Sequence, residues 1–127
     1  MECHWTDTAF APVRVKRKEA GVVCQMSYSD IEMKVLQWSE ARKIIPNSTP
    51  FAQWKKAMEE MEELRDAMRN DSMPNIIDGM GDTVVCLINI CALYDIDLVT
   101  CLKSAYEEIK DRKGYMNEEG IFVKETK

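Results

Sequence analysis

A chain of 127 residues with 46% hydrophobic content is the size of one domain and carries enough apolar material for a core without crosslinks. Its formal net charge of −5 and isoelectric point near 5.0 argue against a general binder of nucleic acid or membrane surfaces, which needs a surplus of Lys and Arg. The five cysteines (Cys3, Cys24, Cys86, Cys91, Cys101) form no C-x-x-C pair and His4 is the sole histidine, so a zinc site has almost no ligands to draw on and any metal is expected on oxygen.

Residues 1–25 mix Pro12, Gly21, the basic cluster Arg14, Lys16, Arg17 and Lys18, and scattered apolar residues with no sustained periodicity. They read as a mobile extension with solvated charge, Met26 being an alternative start and 26–127 the domain proper. The order of a signal peptide is missing, and no uninterrupted apolar run reaches the roughly 18 to 20 residues of a membrane span. A soluble, cytoplasmic protein with reduced core cysteines is expected.

Four helices follow. The first is expected from the cap Ser29 to Ile44, with Ile31, Val35, Trp38 and Ala41 on one side and Pro46 as its stop. The second starts on Thr49 as cap and Pro50 as first residue and runs to Asn70, with Phe51, Trp54, Met58, Met61, Leu64 and Met68 as its core stripe. The third spans Pro74 to Tyr94. The fourth runs from the cap Asp97 to Arg112, with Leu98, Leu102, Ala105, Tyr106 and Ile109 inward and Gly114 as the stop. Beyond it, Tyr115-Met116 and Ile121-Phe122-Val123 around Asn117-Glu118-Glu119-Gly120 form a small hairpin or an extended tail. Short connections make this an all-α, four-helix bundle of antiparallel neighbours.

The third helix is apolar nearly all round, yet Asp78, Asp82 and Asn89 fall within roughly 40° of one another on its wheel. A buried carboxylate loses several kcal/mol of hydration unless a partner compensates, so the aspartates on such a rod call for a cation. The alternative is a pair of partly exposed aspartates near the helix start, where the dipole favours negative charge. On the second helix, Glu59, Glu60, Glu62 and Glu63 crowd one run, and like charges at these spacings repel. With the apolar stripe inward, Glu60 and Glu63 share a flank with Lys56, Glu62 lies on the other flank and Glu59 points outward. Taken alone such a run is a solvated face. Beside the aspartates, it suits Mg²⁺, or Mn²⁺, which takes carboxylate, water and substrate phosphate oxygens and matches phosphoryl-transfer chemistry. Lys110, Arg112 and Lys113 are candidate counter-charges for phosphate, with helix-end charge matching as the other reading.

The order Glu59-Glu60-x-x-Glu63, a loop, then a helix bearing Gly81-Asp82 and Leu87-Ile88-Asn89, resembles the MazG-like and all-α dimeric dUTPase superfamily of nucleotide pyrophosphohydrolases. The resemblance covers about Met26 to Lys124 and is closest to short MazG-like proteins of phages and bacteria, through Ala105-Tyr106-Glu107-Glu108-Ile109-Lys110-Asp111-Arg112-Lys113-Gly114. It implies Mg²⁺-dependent hydrolysis of a nucleoside triphosphate to monophosphate and pyrophosphate. It implies Glu60, Glu63 and Asp82 as metal ligands, Glu59 and Glu63 as catalytic carboxylates, Lys110, Arg112 and Lys113 against phosphate, and Asn89 against the nucleotide. Lys56 joins the substrate-binding set. A homodimer or homotetramer is also implied. One departure stands out: the family's glutamate three residues before Asp82's counterpart is displaced here, with Gly79 at its place, and Asp78, one turn before Asp82, is expected to substitute as ligand.

Two other readings follow from the same residues. One is a narrower enzyme such as a dUTPase, with Trp38, Gln53 or Trp54 against the base, although the aromatics read first as core. The other is a helical dimer that binds nucleotide or protein without turnover.

Overall fold

The structure, a computed structural model, describes residues 26–125; the expected mobile extension, with Cys3, His4, the basic cluster and Cys24, lies outside them. The described chain is all-α with a small terminal sheet. Its elements are α1 (Tyr28–Ala41), α2 (Ile44–Asn47), α3 (Pro50–Arg69), α4 (Met73–Leu93), α5 (Leu98–Ile109), β1 (Gly114–Met116) and β2 (Phe122–Lys124).

Helix starts follow their capping chemistry. Ser27, not Ser29, caps α1: its Oγ accepts the Asp30 N–H at 3.1 Å while its own N–H donates to the Asp30 carboxylate at 3.4 Å. This reciprocal box satisfies two orphan donors at once. Thr49 accepts the Ala52 N–H at 3.1 Å, with Pro50 in the first turn of α3, as its sequence predicts. The first helix stops at Ala41 rather than Ile44, because Lys43 turns left-handed (φ 65°) and Ile45, ahead of Pro46, is pushed to an extended conformation (φ −101°, ψ 123°). The segment to Asn47 is one irregular turn.

The start of α5 is held from two sides. Asp97 accepts the Thr100 N–H at 2.7 Å, and the Glu32 carboxylate of α1 accepts the Leu98 and Val99 N–H groups at 2.6 and 3.2 Å, two more of the four donors a helix start leaves open. Hydrogen bonding from Thr100 holds the Asp97 carboxyl below its usual range. A depressed folded-state value contributes stability above about pH 4 that is lost as pH falls through it. Asp97→Ala is therefore expected to lower the urea midpoint at pH 7 and by a smaller margin near pH 3; equal losses at both would remove the ionised cap from the account.

The fourth helix ends at Ile109 instead of Arg112, since the Arg112 N–H already turns back to the Ile109 carbonyl at 2.9 Å and the chain enters β1. Of the two expected forms of the tail, the hairpin is present: β1 and β2 are antiparallel with Tyr115 opposite Val123. Asn117 Oδ1 closes the turn by accepting the Glu119 and Ile121 N–H groups, both at 2.9 Å. Gly114 is needed at the entry, where a Cβ would run into the Val123 carbonyl and the Phe122 ring.

The helix pair α3/α4 is the main packing unit, and its contact face differs from the expected one. The residues of α3 that are buried are Ala57, Glu60, Leu64 and Ala67, while Phe51, Trp54, Met58, Met61 and Met68 of the apolar stripe are exposed. Small residues explain this choice: a Cβ on Gly79 of α4 would sit 3.1 Å from the Leu64 Cα, so the backbones approach more closely than a Met stripe allows. On α4 the buried set includes Gly79, Thr83, Cys86, Ile88, Asn89 and Cys91, and Ile77, Met80, Val84 and Leu87 are exposed. No residue of α5 is buried, so its expected inward side (Leu102, Ala105, Tyr106, Ile109) is uncovered as well.

Cys86 and Cys91 are free and buried, Cys101 free but exposed rather than in the core, and burial pushes the Cys91 thiol up to about 11. By length and mean hydropathy (1.7) α4 reaches the threshold of a membrane span, so the expectation of none holds only for uninterrupted runs. Asp78, Asp82 and Asn89 punctuate it, and it is paired along α3.

Candidate functional site

The C-terminal half of α3 and the N-terminal half of α4 flank an open cleft of about 360 Å³. Glu63 and Asp66 line it from α3, Asp78 and Asp82 from α4, with Asn70 and Asn75 at the connecting end and Gly79 in its floor. Antiparallel helices joined by a tight turn, in which Asp71 adopts φ 51°, place these residues opposite one another. The single-residue step from Gly79 to Asp78 carries the carboxylate off the contact face and into the cleft. Gly79 itself cannot carry one without pushing Leu64 away.

Asp78 and Asp82 are exposed, which corrects the expectation that they lie buried along the rod. Burial falls on Glu60 instead. Only 7% of Glu60 is exposed; its Oε2 pairs with Lys56 Nζ at 3.2 Å, and its Oε1 is buried with no hydrogen-bond partner. Glu60 therefore points onto α4 one turn from Glu63 and does not line the cleft. The charges around Cys86 relate the two regions: burial raises that thiol first, Glu60 next, and Asp82 and Glu59 add while Lys56 opposes. Glu59 is exposed and lies 3.6 Å from the same Lys56 ammonium. Hydrogen bonding to Glu60 in turn raises the Lys56 pKa.

Asn89 is elsewhere. It is 3% exposed, accepts from Ser39 Oγ at 2.6 Å and donates to Gln53 Oε1 at 3.1 Å, and Gln53 donates on to Ser48 Oγ at 3.0 Å. This chain of polar groups ties α1, α3 and α4 together and commits both ends of the Asn89 amide within the fold. Trp38 and Trp54, read from sequence as core, are about half exposed, and the Arg42 guanidinium stands 5.8 Å from the Trp38 ring. Lys110, Arg112 and Lys113 are exposed at the end of α5 and line no part of the cleft; Lys110 pairs with Glu107 at 2.7 Å. A second cavity of about 310 Å³ between α1 and α5 is mainly apolar, and its one bidentate acceptor, Glu32, is already used on the α5 start.

Asp66, Asn70 and Asn75 were not singled out from sequence. The three-residue step from Glu63 to Asp66, continued by Asn70, is the signal that points to the first two, and the three-residue step from Asn75 to Asp78 points to the third. For the Ser39 and Gln53 partners of Asn89 no such signal exists, since helix spacing within one element carries no information on contacts between elements.

Among the described residues, no three Asp, Glu, His or Cys side chains converge closely enough to hold an ion by themselves. The donor set nevertheless fits hydrated Mg²⁺, which keeps several waters and takes one or two carboxylates together with substrate phosphate. The unpartnered Oε1 of Glu60 is an unmet demand of the kind a cation satisfies. Compared with known proteins, the chain matches no family model, no curated protein and no solved structure. The fold and cleft thus define a class only by chemistry: a helical hairpin with an acidic, oxygen-rich groove along one side.

Proposed function

We propose that the protein is a MazG-like pyrophosphohydrolase that converts (deoxy)nucleoside triphosphates to monophosphate and pyrophosphate with Mg²⁺, or Mn²⁺, in the cytoplasm. The observation that carries this reading is the meeting of Glu63, Asp78 and Asp82 in one cleft beside the buried, half-satisfied carboxylate of Glu60. Glu63, Asp78 and Asp82, with water and substrate phosphate oxygens, would hold the ion, and the enclosed Glu60 one turn from Glu63 would add negative charge beside it; when bound, the ion supplies charge neutralisation on the phosphates and a more acidic water.

The protein's own groups do the rest. A water adds to the α-phosphorus, the bond to the α–β bridging oxygen breaks, and pyrophosphate leaves with that oxygen. Glu63 in the cleft is placed to take the proton of the water, and Glu59, on the outer side, to accept it in relay or to keep the ligands oriented. Lys56 holds Glu59 and Glu60 in place through its ammonium. Lys110, Arg112 and Lys113 stand outside the cleft, so in this reading they attract the polyanion over distance and do not clamp it. Asn89 acts on the nucleotide only indirectly, by fixing Gln53 and α1 around α4.

The test is pyrophosphate release across common and modified nucleoside triphosphates, with and without Mg²⁺. Turnover that needs the metal is expected, and a response confined to dUTP would narrow the enzyme to a dUTPase-like one. The second reading, a non-catalytic nucleotide-binding or protein-interacting helical protein, draws on the glycine at position 79 and on the lack of three converging ligands among the described residues. It predicts thermal stabilisation by nucleotide without pyrophosphate release.

A further inference from the structure

Residues 94–97 join the end of α4 to the start of α5 in a tight reversal. The Tyr94 and Ile96 N–H groups both donate to the Cys91 carbonyl at 3.0 Å, and Asp95 adopts φ 59°. Beyond the turn, the Cys101 N–H donates to the Asp97 carbonyl at 3.2 Å, which fixes Cys101 on the first turns of α5. The reversal thus sets Cys101 against Cys91, and the Cys91 S–H donates to the Cys101 sulfur.

The two thiols differ in access. Cys91 is 8% exposed, Cys101 is open to solvent, and both are free. Cys86, by contrast, is buried with Glu60, Lys56, Asp82 and Glu59 acting on it, none of them a thiol. Packing alone accounts for Cys86 and Cys91, which behave as small apolar side chains. It does not account for a second thiol laid against Cys91 from the outside, the arrangement in which an accessible cysteine reacts and its neighbour resolves the product.

We propose that Cys91 and Cys101 form a reversible dithiol–disulfide pair whose co-reactant is a low-molecular-weight disulfide. The Cys101 thiolate attacks one sulfur of that disulfide; a mixed disulfide forms and the first small thiolate leaves. The Cys91 thiolate then attacks the Cys101 sulfur; the Cys91–Cys101 bond forms and the second small thiolate leaves. The two protons given up by the protein end on the departing thiols, so two protein thiols are oxidised as one small disulfide is reduced.

Access and charge set this order. Burial first, then the charge of Cys101 and the hydrogen bond to it, push the Cys91 thiol up to about 11, so Cys91 does not begin the exchange. Once Cys101 is held in the mixed disulfide its charge is gone, and Cys91 already stands against it. The bond acts on the least enclosed helix: no residue of α5 is buried, and its start is held by hydrogen bonds to Asp97 and Glu32. A covalent tie from α4 suppresses local opening there. In a reducing compartment the pair rests as the dithiol and closes under oxidative load. Neither cysteine lines the acidic cleft, so the pair is independent of the chemistry proposed for it.

Glutathione disulfide added to the reduced full chain, followed by peptide mapping, tests the pair. The expected product is a Cys91–Cys101 crosslinked peptide lighter by two hydrogen atoms, with Cys86 still free and full reversal by dithiothreitol. Cys91→Ser is expected to stop with glutathione on Cys101, and Cys101→Ser to leave Cys91 reduced. The second variant alters an exposed position, so it keeps the test open where the first does not fold. A native Cys101 that stays unreacted while the urea-unfolded chain reacts overturns the proposal. So does glutathione that persists on wild-type Cys101, glutathione on Cys91 of the Cys101→Ser chain, or a bond from Cys101 to Cys3, Cys24 or a second copy.

Discussion

Alanine at Asp82 or at Glu63 is expected to lower pyrophosphate release by about 100-fold or more, an effect of about 3 kcal/mol on the barrier, while leaving the fold in place. Both carboxylates are exposed and face the cleft. Removing a surface carboxylate from a crowd of like charges changes stability by only a few tenths of a kcal/mol. Glu62→Ala serves as the control, since that glutamate lies off the cleft on the same helix. The thermal midpoint measured beside the rate separates loss of chemistry from loss of fold. Full activity in both cleft variants would end the enzymatic reading.

The second large effect is expected at Gly79, and it runs against intuition from the resemblance. Gly79→Glu restores a glutamate where the family carries one, yet a gain of activity is not expected. The site for a new Cβ is 3.1 Å from both Cα and Cβ of Leu64, so α3 and α4 must separate, and overpacking of this kind costs about 1–3 kcal/mol. A carboxylate brought into the same contact face as Glu60 adds an unpaired buried charge, about 1–3 kcal/mol more. Together these are a large part of the stability of a domain of this size. A drop in the urea midpoint is the expected readout. A variant as stable as the parent, with higher turnover, would show that the helices part easily here and that Asp78 is no substitute.

Much of the local structure was legible in the residues themselves. Thr49-Pro50 and Asp97 each carry a chemical reason for a helix start, and the starts fall there because caps act within a few residues of their own position; Gly114 opens β1 instead of ending the helix, which stops at Ile109. The misplaced start at Ser29 was a competition between neighbours, decided by Asp30, which sits three residues after Ser27 and completes the reciprocal bonds. The site was legible in part for the same reason: Glu63, Asp78 and Asp82 meet because a short turn between two antiparallel helices leaves few other arrangements.

Which face of each helix is covered depended on information that periodicity does not contain. The Met and Trp stripe of α3 has the right spacing for a core, but Ala57, Ala67 and Gly79 let the two backbones close together along a different line, and the stripe was left outside. Asp82 and Asn89 lie along one line of α4, yet one is exposed and the other buried, because Ser39 of α1 packs over the C-terminal part of that helix and the aspartates lie beyond it. The sequence by itself thus determined the four long helices, the capped starts at Thr49 and Asp97, and the meeting of Glu63 with Asp78 and Asp82. Only the tertiary structure decided which carboxylate was enclosed and which apolar face was left uncovered, because burial depends on how closely elements far apart in the chain can approach.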